Sequence, residues 1–229
     1  MLRFNIFNMI HKALRGMLYN TAQSIQQTWF GDKADAELVF EKIHEVVAAF
    51  ENHGHNEDHI LMPYVEKYDP VRIASFESEH VEDLYMGNHL KHLINIFRDA
   101  ATDQERMIAG SAITRAFQDY MIFNLKHMQR EEIELNELLW EVYTDEQLLD
   151  INAGIIASIP ADEMAHTAGK MMMSINKNEA LNWLSSVKKT APAFVYNPLL
   201  ELTETHLPEH YREEVRAALL EEENLSPVF

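Results

Sequence analysis

The sequence predicts an all-α protein: an up-down-up-down four-helix bundle followed by several short C-terminal helices. Only 7 of the 229 residues are glycine and 7 are proline, the two residue types that interrupt helices most strongly. Apolar residues recur at steps of three and four in four long segments, whereas runs that alternate apolar with polar residues are few. Long helices joined by short connections favour antiparallel neighbours, so a bundle is the expected arrangement.

Helix start and stop signals divide the first part of the chain into these four segments. Gly31 ends the first, and Asp69 followed by Pro70 supplies an N-cap with proline at the first helical position of the third. Thr102 and Glu105 form a capping box that opens the fourth. The predicted helices cover about residues 3–30, 34–68, 70–100 and 102–143.

After residue 143 the chain is divided more finely by prolines. These limit the predicted helices to roughly three or four turns. We therefore predict two domains: a bundle over residues 1–143 and a short-helix extension over residues 144–229. The extension is expected to pack on the bundle or to form a homodimer contact. The dividing prolines are Pro160, Pro192, Pro198 and Pro208.

The charge and composition of the chain exclude several classes of partner and site. With 19 Lys and Arg against 37 Asp and Glu, the formal net charge is −18, whereas nucleic acids and anionic membrane surfaces both require a basic face. The chain has no cysteine, which rules out disulfides, iron–sulfur clusters and thiolate metal sites. It has no run of 18 apolar residues and no signal-peptide cleavage pattern, so we expect a cytoplasmic protein.

Each of the four predicted long helices carries one histidine within its apolar stripe. The second and fourth helices also carry a glutamate four residues after the histidine, in the same stripe. Residues at this spacing lie about 40° apart around a helix and about 6 Å apart along it, so an imidazole and a carboxylate can converge on one ion. The six stripe residues are His11, His53, Glu57, His80, His127 and Glu131.

Six ionisable groups in one core need a common explanation. An isolated buried carboxylate strongly destabilises a fold unless a partner compensates its charge, and a pair of metal cations would provide that compensation. A single histidine on an apolar stripe is more often a hydrogen-bonded core residue than a ligand. Two copies of His-x-x-x-Glu in register, with a histidine from each of the other two helices, favour metal coordination over an unmetallated polar core.

The same stripes predict what surrounds these six residues. In the second helix the stripe continues through Ile60 and Tyr64. In the third helix it continues through Leu84 or, alternatively, Asp83. Tyr64 and Tyr120 each lie seven residues from a stripe ligand, which suits plain packing or, less commonly, a hydrogen bond to a bound ligand. The phenylalanines expected to wall the site are Phe7, Phe50, Phe76 and Phe117.

A rival metal motif, the Glu-x-x-His of ferritin-like di-iron bundles, fits the chain less well. His44 lies about 180° from His53 around its helix, so the two cannot face one site. A second copy falls in the short-helix extension, and the further glutamates that the motif needs are missing from the stripes. The three copies are Glu41/His44, Glu77/His80 and Glu163/His166. Other histidines interpreted as surface residues are His55, His59, His89 and His92.

Over about residues 5–142 the chain resembles the hemerythrin family, in particular its HHE cation-binding branch. The intervals between the four stripe histidines suit that family. A proline commonly follows the second-helix motif in the family, so a kink at Pro63 is expected despite the usual cost of a proline inside a helix. The matching segments are IHKALR at Ile10–Arg15, HGHNEDHILMP at His53–Pro63, ESEHVEDL at Glu77–Leu84 and HMQREEIEL at His127–Leu135.

The resemblance implies a di-iron centre. It assigns the four stripe histidines as terminal ligands, and Glu57 and Glu131 as carboxylates that bridge two iron ions together with an oxo, hydroxo or water bridge. Zinc or manganese would suit the same ligands. Oxygen-carrying hemerythrins have a further histidine in the third helix, where this chain has Phe76 and Leu84. Six protein ligands and an additional open coordination position are therefore expected.

The expected function is that of a non-haem di-iron protein that binds or senses a small molecule such as O2, peroxide or nitric oxide. The open position argues against a simple reversible oxygen carrier, because exchangeable positions are what reactive metals need. Two alternatives are a di-iron enzyme that reduces peroxide, O2 or nitric oxide, and an iron-storage or iron-handling protein. Neither a nucleic acid nor a membrane is an expected partner.

Overall fold

The computed structural model describes residues 3–225, apart from the side chains of residues 161–162 and 221–225. All regular secondary structure in that range is helical, which confirms the predicted all-α class. None of its helices carries an apolar stretch long enough to cross a bilayer.

The helices of the described range follow one another with short connections. The range also contains two π-helical turns, π1 (Glu57–Leu61) and π2 (Glu131–Leu135), and π1 is followed by a 3₁₀ turn at Met62–Tyr64. The α-helices in chain order are α1 (Asn8–Gln27), α2 (Lys33–Asn56), α3 (Pro70–Asp99), α4 (Asp103–Arg130), α5 (Asn136–Val142), α6 (Asp145–Ser158), α7 (Ala161–Ser174), α8 (Lys177–Thr190), α9 (Ala193–His206) and α10 (Glu209–Leu225).

The chain divides into two compact units, Met1–Ser158 and Ile159–Phe229. In the first unit α1 packs against α2 and α4, and α3 also packs against α2 and α4. In the second unit α8 packs against α9 and α10, and α7 packs against α9. The boundary between the units lies one helix after residue 143, where the sequence predicts the first domain to end, because α6 buries Leu148 and Ile151 among apolar side chains of the first unit.

Side-chain caps begin the third and fourth long helices where the sequence predicts them. The Asp69 carboxylate accepts a hydrogen bond from the backbone N–H of Arg72, with Pro70 as the first residue of α3. Thr102 and Glu105 form the capping box of α4. In contrast, α1 is not preceded by a capping side chain and is shorter than predicted at both ends.

The π turns interrupt two helices that the apolar pattern predicts to be continuous. A π turn contains an extra residue compared with an α-helical turn, so the face that each later residue presents is shifted by one position. The predicted inward positions of Ile60 and Tyr64 are therefore wrong. Leu61 and Val65 are buried in their place, whereas Ile60 is half-buried and Tyr64 is 40% exposed.

The core of the first unit consists of two apolar clusters. Along α1, His11 lies between Phe7 of one cluster and Leu14 of the other. The histidines of α2, α3 and α4 are likewise flanked along their helices by one residue of each cluster. The six stripe residues thus form a polar layer between two apolar layers. The flanking pairs are Phe50 and Leu61, Phe76 and Leu90, and Tyr120 and Leu135.

Candidate metal centre

The six stripe residues meet in this polar layer. They form two overlapping groups of four, and in each group the potential ligand atoms all lie within 4.8 Å of one another. His11 and Glu131 are fully buried, and even the His80 side chain is only 10% exposed. These buried groups could hold metal ions: His11, His53, Glu57 and Glu131 in one, and Glu57, His80, His127 and Glu131 in the other.

Glu57 belongs to both groups because its two carboxylate oxygens point toward different histidines. Oε1 lies 3.2 Å from Nε2 of His53 and 3.9 Å from Nε2 of His11. Oε2 lies 3.2 Å from Nε2 of His80. A carboxylate that offers one oxygen to each of two neighbouring imidazole sets is arranged as a bridge between two cations would be.

Glu131 repeats this arrangement from the opposite helix. Its Oε2 lies 3.4 Å from Nε2 of His11, while its Oε1 lies 3.0 Å from Nε2 of His127 and 3.6 Å from Nε2 of His80. The Nε2 atoms of His11 and His53 lie 3.0 Å apart. Each histidine pair therefore faces one oxygen of Glu57 and one oxygen of Glu131, which gives each group two nitrogen and two oxygen donors.

Six of the atoms that face the centre have no hydrogen-bond partner in the protein itself. Both carboxylate oxygens of Glu57 and of Glu131, and the Nε2 atoms of His80 and His127, are buried and have no hydrogen-bond partner. Buried polar atoms are almost always hydrogen-bonded, and leaving them without partners is destabilising. Cations coordinated by these oxygens and nitrogens would remove that penalty, so the donor set fits a pair of metal ions.

The π turns explain how the residue after each glutamate reaches a histidine on another helix. Glu57 opens π1 and Glu131 opens π2, and in each turn the next residue is also acidic. Asp58 Oδ1 lies 2.6 Å from Nδ1 of His80 on α3, and Glu132 Oε1 lies 3.0 Å from Nδ1 of His11 on α1. Each π turn thus directs one carboxylate into the polar layer and the next to the back of a histidine ring on another helix. Single π turns of this kind often occur at functional sites.

A third carboxylate supports His127. Glu79, the residue before His80, has its Oε2 2.7 Å from Nδ1 of His127, and its other oxygen accepts a hydrogen bond from Arg130. A carboxylate on Nδ1 fixes the ring orientation and leaves Nε2 free as a ligand atom, an arrangement common around metal-binding histidines. These supporting carboxylates are not among the residues predicted from the sequence, where their only signal is an acidic residue next to a stripe residue.

The buried charges shift the pKa values of the histidines in different directions. Burial lowers the pKa of His53 to about 4. Burial also opposes protonation of His80, but Asp58 and the buried glutamates outweigh it and raise the pKa of His80 to about 12. The pKa values of His11 and His127 are raised as well, because nearby carboxylates outweigh the effect of burial. In the absence of metal, a proton on His80 therefore compensates part of the charge of the glutamates.

The carboxylates of the centre are held in their ionised form. Burial and repulsion by Glu131 act to raise the pKa of Glu57, but the surrounding imidazoles outweigh them and lower it. The pKa of Glu131 lies well below its ordinary value because the attraction of His127 outweighs burial. Burial likewise opposes ionisation of Glu132, but His11 and Arg15 lower its pKa to about 2. Metal ions that bind here would replace protons on the rings.

Aromatic rings pack against the histidines from outside the polar layer. Phe7 stacks on His11 with ring centroids 5.1 Å apart, and Phe76 contacts His127 edge-on at 6.1 Å, as the predicted wall requires. Phe123, which the sequence reasoning did not select, also stacks on His127. The other two predicted wall residues have their ring contacts with Tyr120 in the adjoining apolar cluster: Phe50 and Phe117.

A second buried polar group lies one helical turn from His80 and His127. Of the two alternatives for the third stripe, Asp83 takes the inward position and Leu84 is exposed. The amide of Asn124 donates a hydrogen bond of 2.6 Å to Asp83 Oδ1. Burial raises the pKa of Asp83, and burial together with the Asp83 charge raises the pKa of Tyr120.

Residues predicted to lie away from the centre mostly do so. The interpretation of four histidines as surface residues is confirmed, since their side chains are exposed, whereas His44, expected to face solvent, is half-buried. Tyr64, expected to pack in its stripe or, less commonly, to hydrogen-bond a bound ligand, is instead exposed and lies edge-on against Tyr143. The four exposed histidines are His55, His59, His89 and His92.

The chain was compared with models of known protein families, with curated proteins and with solved structures, and none of the three comparisons found a match. The description of the site therefore depends on its own geometry.

Proposed function

We propose that this protein is a hemerythrin-like non-haem di-iron protein, in which α1 to α4 form an up-down-up-down four-helix bundle around the metal centre. In this proposal it binds or senses a small molecule such as O2, peroxide or nitric oxide. The observation that carries the proposal is the pair of buried glutamates, each of which offers one oxygen to each of two histidine pairs. The pairwise packing of α1 to α4 supports the bundle.

The ligand set favours iron over several other metals. Imidazole nitrogens are borderline ligands and carboxylate oxygens are hard ones, a combination that suits iron, with zinc and manganese as competitors. One ion would be held by Nε2 of His11 and of His53, and the other by Nε2 of His80 and of His127. Each of the two glutamates, Glu57 and Glu131, would offer one oxygen to each ion. Four protein donors for each ion leave coordination positions for a small molecule. A bound iron pair would supply redox activity at those positions.

The protein around the centre controls what can reach it. Apolar clusters lie on both sides of the polar layer, and Phe7 and Phe76 pack against the histidine rings. Such a lining disfavours entry of charged or bulky molecules and is compatible with small neutral ones. The supporting carboxylates hold the imidazoles with Nε2 directed at the centre, so the ligand atoms need little rearrangement on binding.

An enzyme that reduces peroxide, O2 or nitric oxide is the second candidate, and one observation favours it. Asp83 is buried one helical turn from His80, and burial raises the pKa of its carboxyl. In this candidate function that carboxyl would relay protons into the core. Reduction of any of these molecules consumes protons. In this candidate function Asp83→Asn would slow turnover without loss of metal, whereas Asp83→Asn would leave a simple binding reaction unchanged.

Metal analysis with optical spectroscopy tests the main proposal. The purified protein is expected to bind two iron ions per chain and, when oxidised, to absorb in the near ultraviolet. Mixing the reduced protein with O2 in a stopped-flow instrument separates the functional classes: a reversible adduct supports binding, and continuous turnover supports the enzyme. Zinc as the sole bound metal, or two irons retained in both Glu57→Gln and Glu131→Gln, would contradict the proposed centre.

A further inference from the structure

The two metal positions implied by the proposed function differ in the support behind their histidines. We define position B by His80 and His127 and position A by His11 and His53. At position B both rings have a carboxylate on Nδ1, at 2.6 Å for His80 and 2.7 Å for His127.

Position A has half of this support. The Nδ1 atom of His11 has Glu132 at 3.0 Å, whereas none of the described side chains places a carboxylate within hydrogen-bond distance of Nδ1 of His53. A carboxylate on Nδ1 orients a ligating ring and increases its basicity. One ring at position A is therefore less basic and less firmly oriented than the other three.

The supporting carboxylates also differ in how far arginines neutralise them. Glu132 accepts a hydrogen bond from Arg15 at 2.7 Å, and Glu79 accepts one from Arg130. No arginine or lysine contacts Asp58 in the part of the chain that the structure describes. Position B therefore has one carboxylate more than position A, and that additional carboxylate is not paired with a basic side chain.

We infer that position B fills first and holds its ion more tightly, and that position A fills second and is the one where the ion is more readily exchanged. Asp58 and Glu79 act as positioning residues in this scheme, because they orient the two histidines of position B and increase their basicity. Partners of this kind typically change metal affinity by about 10- to 100-fold. The inference rests on the proposed di-metal centre and assigns an order to its two positions.

The order of filling, and not the mere presence of two steps, is what the experiment must establish. Two cations bridged by the same glutamates repel each other, so even identical positions would give a weaker second step. The metal-free full-length protein should therefore be titrated with Co²⁺, whose visible absorption reports its ligands, with a competing chelator to fix both affinities. His53→Ala is expected to retain the first step and lose the second, whereas His80→Ala should weaken or lose the first.

Variants of the supporting carboxylates test whether these residues cause the difference in affinity between positions A and B, without removing a ligand. Asp58→Asn and Glu79→Gln preserve size and are each expected to weaken the first step by about 10- to 100-fold, while Glu132→Gln weakens only the second. Glu77→Gln is the matched control, because Glu77 is exposed on the same helix two residues from Glu79. Circular dichroism of each metal-free variant would verify that the fold is retained.

The outcomes distinguish failure of the inferred filling order from failure of the proposed di-metal centre. A first step that survives His80→Ala and is lost in His53→Ala would overturn the inferred order while leaving the di-metal centre intact. Equal effects of Asp58→Asn and Glu77→Gln would overturn the role of the supporting carboxylate. Failure of the unmodified protein to bind Co²⁺ at either step would instead contradict the proposed function itself.

Discussion

Gly54 lies directly against the imidazole of His80. A Cβ atom at Gly54 would meet Cδ2 and Cγ of that ring at 3.2 Å, closer than ordinary van der Waals contact. Gly54 is in the last turn of α2, next to the proposed ligand His53. The absence of a side chain there gives the ring of a neighbouring helix the space it needs to face the centre.

Gly54→Ala should separate stability from metal binding. Alanine favours a helix over glycine by about 1 kcal/mol, so the metal-free protein should not lose stability beyond what a small shift of the His80 ring costs. Metal affinity is expected to fall by about tenfold or more, since ligands must be held to within about 0.5 Å. Urea unfolding and chelator competition would measure the two quantities.

Gly154→Ala is the matched control for that change. A Cβ atom at Gly154, within α6, meets no atom within 4 Å. The same helix-propensity gain is therefore expected there with no change in metal affinity. An equal effect of both substitutions on metal affinity would show that the space beside His80 does not matter.

Above pH 6.5, the free energy of unfolding should depend on pH with opposite sign in the metal-free and the metal-loaded protein. The pKa of His80 is about 12 in the folded chain and ordinarily 6.5, so between these values the folded state binds more protons than the unfolded state. The free energy of unfolding then falls as pH rises above 6.5, by at most about 1.4 kcal/mol per pH unit for each such ring. His11 and His127 contribute with the same sign.

Below pH 6.5 the lowered pKa of His53 reverses the slope. Its folded value of about 4 means that the unfolded chain binds the extra proton between pH 4 and 6.5, so stability decreases as pH falls through that range.

In the metal-loaded protein, metal affinity rises with pH because fewer protons compete for the histidine rings. Urea unfolding from pH 5 to 9, with and without metal, measures both slopes. A metal-free protein that gains stability from pH 7 to 9 would contradict the assignment.

Removal of metal should destabilise the first unit through the unsatisfied atoms of Glu131 and its neighbours. A ligand present at 100 times its dissociation constant adds about 2.7 kcal/mol to the free energy of unfolding. The melting temperature is therefore expected to fall when a chelator is added. That difference should vanish in Glu131→Gln and persist in Glu137→Gln, an exposed site on α5. A chelator effect retained in Glu131→Gln would exclude Glu131 as a ligand.

The apolar periodicity of the sequence predicts most of what forms the centre. His11, His53, His80 and His127 stand at stripe positions, and an α-helix places such positions on one face whatever the details of its ends. The capping signals at Asp69 and Thr102 are local, so they are predicted correctly as well. These features depend only on residues close in sequence.

The π turns and the supporting carboxylates depend on contacts between helices, which the sequence pattern does not contain. In a regular α-helix each residue is rotated by about 100° from the one before, so Asp58 and Glu132 should point away from the stripe. The π turns change that rotation and bring each carboxylate to a histidine on another helix. The displacement of Tyr64 to the surface follows from the same extra residue.

The place of α6 in the first unit leads to a prediction about where the chain can be shortened. Leu148 and Ile151 of this helix are buried in the apolar cluster that contains Phe7 and Phe76, and Arg3 forms an ion pair with Asp145 at its start. A chain that ends at Ser158 should fold, remain soluble and bind metal. A chain that ends at Tyr143 loses two buried side chains worth about 1.5–3 kcal/mol each and uncovers the apolar surface beneath them, so we expect it to unfold at lower urea concentration and to aggregate. Gel filtration, urea unfolding and metal content of the two shortened chains would measure this.

Equal stability of the two shortened chains would contradict this prediction. It would show that the first unit ends near residue 143, where the sequence predicts the change from long helices to short helices divided by prolines.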